Sequence, residues 1–154
     1  MEIPNTFQIS DTRNSSHFKK QTFCGYKKNH IFQAFEKSIM GGKLEESCNW
    51  SIEIVISGYI DELWEYLILF ICKRINIANI EMITHIYRRL QNYKNLVKYG
   101  NMNDKLKLRN NQQFRNHICE IVCILVRSRK MKLDTIKKVK KDELKVDFFR
   151  KKVK

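Results

Sequence analysis

The chain has 154 residues, room for one domain, and 43% of them are hydrophobic, enough for a sizeable core. A single proline, Pro4, and five glycines argue against an all-β fold, which needs many turns. The formal charge of +14 is uneven: residues 1–28 carry a net +3, residues 29–96 a net −1, and residues 97–154 a net +12.

A near-neutral body with a basic end is the pattern of an anchor for something acidic, whether nucleic acid, an anionic membrane surface or an acidic protein face. The plainer reading is a solvated basic tail. Residues 1–28 read as an extended arm with little periodicity. It interleaves Phe18, Phe23 and Tyr26 with Lys19, Lys20, Lys27 and Lys28. Aromatics among lysines either stack on bases or pin an arm to a neighbouring subunit. The first residues carry no apolar leader region, so no signal peptide is expected.

From about His30 the spacing becomes helical. Phe32, Phe35 and Ile39 recur at three and four residues until Gly41-Gly42 ends the helix. A second helix starts near Lys43, with Leu44, Cys48, Ser51/Ile52 and Val55 on one stripe, widened by Trp50 and Ile54, and ends at Gly58. A third carries Ile60, Leu63, Trp64, Leu67, Ile68, Ile71 and Ile75; as the most apolar, it is expected at the centre. Its longest apolar run, Tyr66 to Cys72, is seven residues, against roughly twenty for a membrane span.

Asn79 reads as the N-cap of a fourth helix, with Ile83, Ile86, Tyr87, Leu90 and Tyr93 on its inner face and a break at Tyr99-Gly100-Asn101. Phe114, Ile118, Ile121, Val122 and Leu125 define a fifth, from about Asn111 to Ser128. Residues 131–154 read as a basic tail ordered only when bound. The fold class is therefore all-α: a compact bundle or α-α superhelix of about five helices over residues 29–130, between basic arms.

Few residues suggest chemistry. Glu45, Glu46, Glu53, Asp61, Glu62 and Glu65 fall at helix starts or on outer faces, where the helix dipole explains acids better than an acid/base pair does. His117, Cys119 and Cys123 are close in sequence, but there is no CxxC pair and no HExxH, and His117 lies about 200° around the helix from Cys119. No metal is expected. Phosphate-binding glycine loops and the GxSxG elbow are missing, so neither cofactor nor small-molecule substrate is expected. Five cysteines at 24, 48, 72, 119 and 123 are odd in number and widely spaced, unlike a disulfide framework. A reducing compartment is expected, with Cys48, Cys72, Cys119 and Cys123 as small core residues. Trp50 and Trp64 are core anchors by default, or interface markers if exposed. Candidate contacts with an acidic partner are Arg127, Arg129 and Lys130 at the end of the fifth helix. Lys137, Lys138, Lys140, Lys141 and Arg150, with the aromatic pair Phe148 and Phe149, extend them into the tail.

Two stretches carry a resemblance. Residues 34–82 contain A-F-x-K-S-I-x-x-G-K-x-E-E-S-x-x-W (Ala34 to Trp50) and then L-W-E (Leu63 to Glu65); residues 108–130 contain L-R-N-N-Q-x-x-R-N (Leu108 to Asn116). Together, over about 70 of the 154 residues, they resemble a family of helical proteins of nucleocytoplasmic large DNA viruses. The first stretch also looks like the helical collar domain of clamp-loader-type AAA+ ATPases, through Lys37-Ser38-Ile39, Trp50, Gly58 and Ile77-Ala78-Asn79. The chain carries no ATPase motif, so that likeness implies an oligomerisation fold without ATP hydrolysis. The viral resemblance implies a non-enzymatic virion structural protein of minor capsid or cement type. Its partners would be other capsid proteins, and it would be found in the virion and in the host cytoplasm during assembly. The other expectation is a basic DNA-associated protein, a packaging or replication accessory.

Overall fold

The computed structural model describes residues 9–14, 16–75, 79–99 and 107–131. Among these there are five α-helices: α1 (Lys28–Met40), α2 (Leu44–Ile56), α3 (Ile60–Phe70), α4 (Ile80–Tyr99) and α5 (Gln112–Arg127). They pack into one compact all-α body around a single apolar core. The expected break at Gly100-Asn101 and the tail beyond Met131 lie outside the described residues.

Local chemistry sets the helix ends. Gly42 (φ 71°) and Gly58 (φ 81°) take the left-handed conformation that turns α1 into α2 and α2 into α3. Asn79 accepts from the Met82 backbone N–H (3.2 Å), so the cap expected there is in place, and Asn111, expected only as the approximate start of the fifth helix, caps it by accepting from the Phe114 N–H (2.9 Å). After Phe70, residues Ile71–Ile75 widen into a π-helical turn that keeps Ile71 and Ile75 buried.

The centre belongs to α2 rather than to the more apolar α3. α2 packs against α1, α3, α5 and the turn Lys107–Asn110. Small residues allow the close approach. The buried Ser47 hydroxyl donates to the Lys43 carbonyl (2.6 Å) and stands 2.9 Å from the hydroxyl of Ser38, which itself donates to Phe35 O (2.8 Å). Glu53, expected on an outer face, is buried, and its Oε1 accepts from the Cys24 backbone N–H (2.8 Å).

Part of the expected N-terminal arm belongs to the body. Phe18 sits in a short 3-10 turn, His17–Lys19, and is 2% exposed within the core. Its carbonyl accepts from the Tyr59 hydroxyl, and the guanidinium groups of Arg13 and Arg109 lie 5.0 and 5.7 Å from its ring centre. Asp11 Oδ2 accepts from Arg13 Nε (2.8 Å) and Nη2 (2.6 Å), and Oδ1 accepts from Nε (3.1 Å); these bonds lower the Asp11 carboxyl to about 2. Ile9 and Asn110 exchange two hydrogen bonds, and Phe23 N–H donates to Ser57 Oγ (2.8 Å). Phe18 was expected to be free because a 3-10 turn has no period to reveal its burial. The tight loop from Thr22 to Tyr26, with Gly25 at φ 85°, turns the chain into α1 through the isolated bridge Gln21–Lys27.

Truncating Phe18 to alanine should therefore cost about 3–5 kcal/mol of folding stability, as for other buried aromatics, in a urea unfolding curve. Lys19→Ala and Lys20→Ala, at exposed neighbours, should stay within about 0.5 kcal/mol.

Candidate protein-binding face

α4 carries two apolar stripes. Met82, Ile86, Leu90, Tyr93 and Val97 recur at four, four, three and four residues and face the body. Ile80, Ile83 and Tyr87 recur at three and four on the adjacent side. Only one stripe can face α3 and α5. Ile83 and Tyr87, expected inside, are 43% and 61% exposed, and Ile80 is 66% exposed. The neighbouring helix shows the same excess. Ile68 and Leu69 on α3 are exposed, and Cys72 in the π turn, expected in the core, is exposed as well.

The two sets lie side by side. The Tyr93 hydroxyl reaches Asp61 Oδ1 (3.4 Å), and its ring centre is 5.5 Å from that of Trp64, so α4 runs back along α3. Between them is an apolar groove of about 140 Å³ lined by Ile68, Ile71, Cys72, Ile83, Ile86, Tyr87 and Leu90. With Leu69 and Ile80 this face leaves on the order of 500 Å² of apolar surface in water, near the top of the range for the largest patch on a monomer.

The basic candidates are dispersed. Lys19, Lys20 and Lys27 are exposed, Phe23 is half-buried under the Arg13 guanidinium (4.7 Å), and Tyr26 packs edge-on against half-buried Trp50 (5.4 Å). Lys28 pairs with Glu62 (2.6 Å) and lies over the Tyr59 ring (4.5 Å). At the other end of α3, Arg127 and Arg129 are exposed, whereas Lys130 caps α5 by donating to Val126 O (2.6 Å) and Ser128 O (3.1 Å). Met131 N–H donates to Arg74 O (2.6 Å). Lys28 is therefore anchored at residue 62 and the end of α5 at residue 74, about 18 Å apart along the helix. Lys137, Lys138, Lys140, Lys141, Phe148, Phe149 and Arg150 lie outside the described residues, as do Ile77 and Ala78.

Two further clusters are structural in their geometry. Cys48 on α2 lies 3.9 Å from Cys123 on α5, and burial pushes the Cys48 thiol up to about 12. Burial also raises Cys119; the hydrogen bond with Glu53 raises the exposed Cys24. Among the described residues, no group of three or more His, Cys, Asp and Glu is arranged to hold a metal. His85 and His117 meet across α4 and α5. Arg89 donates to His117 Nδ1 (2.7 Å) and pairs with Glu120 (2.9 Å), which leaves the imidazole proton on a buried Nε2. Burial, then the charge of Arg89, lowers the pKa of both histidines.

Two outcomes follow. In native protein at pH 8, alkylation followed by mass spectrometry should label Cys72 at least ~10-fold faster than Cys48 and Cys119, whose thiolates are disfavoured. Because the folded state prefers neutral His85 and His117, their contribution is present above the ordinary histidine value of ~6.5 and is lost as pH falls below it. Urea midpoints should accordingly drop between pH 7.5 and 5.5, and a His85→Gln/His117→Gln variant should flatten that slope.

No helix among the described residues is long and apolar enough to cross a membrane. Comparison of the chain with family models, with curated proteins and with solved structures returns no match.

Proposed function

We propose that this chain is a non-enzymatic assembly protein, a minor capsid or cement-type subunit of a large DNA virus particle that binds neighbouring protein through the α3–α4 face. The carrying observation is the row of exposed apolar side chains, Ile68, Leu69, Ile80, Ile83 and Tyr87, around an apolar groove. Such a face is costly to leave in water and gains stability when another chain covers it. The sequence resemblance of residues 34–82 and 108–130 supports the virion as the setting. The exposed Lys19, Lys20, Lys27, Arg127 and Arg129 flank the body at two ends and suit acidic surfaces of adjoining subunits.

The second reading, a DNA-associated packaging or replication accessory, is favoured by the net +12 of residues 97–154. The two readings differ in a measurable way. On the assembly reading, quantitative mass spectrometry of purified particles finds the chain at a fixed ratio to the major capsid protein. An Ile83→Glu/Tyr87→Glu variant with unchanged circular dichroism falls at least ~10-fold in the particles, since charges there must be desolvated on binding. Duplex DNA binding that persists at ~150 mM salt and collapses as salt rises would favour the second reading instead.

A further inference from the structure

A cavity of about 330 Å³ opens between α2 and the loop that precedes α1. On α2 it is lined by Glu46, Asn49, Trp50 and Glu53, whose spacing of three, one and three residues is one face of the helix. The remaining wall is Tyr26, at the end of the tight loop from Thr22. None of these residues belongs to the α3–α4 face. The Tyr26 and Trp50 rings stand edge to face, 5.4 Å between centres and 72° between planes. Two aromatic walls near a right angle make a corner, and the electron-rich faces of such rings attract cations.

A carboxylate shares the cavity. Glu53 lines it and is only 7% exposed. Its Oε1 accepts from the Cys24 backbone N–H (2.8 Å), and the Cys24 thiol also bonds to it. Among the described residues Glu53 makes no ion pair. Arg13, whose guanidinium feels the Glu53 charge, is held instead by Asp11 and the Phe23 carbonyl. Glu46 is already paired with Lys43 (2.8 Å), which leaves Glu53 as the uncompensated charge of the cavity. A glutamine would accept from the Cys24 N–H equally well. A buried carboxylate without a paired cation is costly, and a cation beside it offsets that cost.

The walls also select the kind of cation. A bare lysine ammonium is strongly hydrated and needs several acceptors to replace its water. Here the rings supply none. An alkylated ammonium spreads its charge over methyl groups and is held by aromatic faces without hydrogen bonds. We propose that this cavity binds an alkylated ammonium group, held between the Tyr26 and Trp50 rings with Glu53 as its counter-charge. The group is carried either by a free quaternary ammonium compound or by a methylated lysine side chain.

Proton NMR of the full chain tests it through the indole N–H signals of Trp50 and Trp64, assigned with Trp50→Phe. Tetramethylammonium chloride is titrated against sodium chloride at equal ionic strength. The Trp50 signal should shift saturably with a Kd on the order of 1 mM, while Trp64, buried in the core, stays in place. tert-Butanol, neutral and of similar shape, should bind at least ~10-fold more weakly. Tyr26→Ala, at an exposed side chain, and Glu53→Gln, which keeps an acceptor for Cys24, should each weaken binding about tenfold with unchanged circular dichroism. An unmoved Trp50 signal overturns the proposal, and so does tert-butanol binding as tightly as the cation. A folded Tyr26→Ala or Glu53→Gln variant that binds like the native chain overturns it as well. If Glu53→Gln unfolds, Tyr26→Ala decides. A trimethyllysine peptide that binds more tightly than tetramethylammonium assigns the group to a protein side chain, and equal affinity assigns it to a free compound. An unmethylated peptide that binds as tightly as the methylated one overturns the choice of an alkylated ammonium.

Discussion

The body depends on how closely α2 lets its neighbours approach. α1, α3, α5 and the turn at Lys107–Asn110 all pack on it, and a helix so surrounded has no room for large side chains on every side. Ser47 and Ser51 supply the narrow faces. Their hydroxyls donate to Lys43 O and Cys48 O within the same helix, so burying them leaves no polar group unpaired. Ser38 contributes the matching small residue from α1. A larger side chain at Ser47 would push α1 outward and loosen the core around Ile31, Phe35 and Ile39.

The end of α2 organises the N-terminal segment in turn. Glu53 and Ser57 accept from the backbone of Cys24 and Phe23, and Tyr59, at the start of α3, donates to Phe18. Residues distant in sequence therefore close one corner of the molecule. Arg13 and Arg109 cover the Phe18 ring, and Asp11 neutralises part of their charge. Some of the basic excess near the N-terminus is thus used inside the fold. Arg13 and Lys28 are engaged by Asp11 and Glu62, while Lys19, Lys20 and Lys27 face solvent.

Much of this was legible in the sequence because helices announce themselves by period and punctuation. The glycines at 42 and 58 and the asparagines at 79 and 111 mark helix boundaries through the backbone conformations and N–H groups they serve. What could not be read was which face of an apolar helix turns inward. α4 has two stripes of nearly equal quality, and period alone does not choose between Met82–Ile86 and Ile83–Tyr87. α3 looked central because it is apolar on both sides, yet only one side meets α2. α2 looked less central because serines lower its hydrophobicity, although they are what makes the close packing possible. Phe18 was hidden for a further reason: its burial is fixed by contacts with residues 59 and 109, not by any local pattern.

The misread faces have one physical origin. A helix with apolar residues on one stripe needs one partner; α3 and α4 each carry more than one stripe, and each finds a single layer of partners within the chain. Their surplus falls on the same side, because the two helices run antiparallel with Tyr93 beside Trp64. Two leftovers that would be unremarkable singly become a continuous face with a groove between them. Charge is arranged differently. Of the exposed basic residues, Lys19, Lys20 and Lys27 lie toward one end of α3 and Arg127 and Arg129 toward the other, whereas Lys37, Lys43, Lys73, Arg88, Lys94 and Lys98 are spread over the rest of the body. On the assembly reading proposed above, the charges at the ends of the body would speed encounter with an acidic neighbour, while the apolar face would decide which partner is kept.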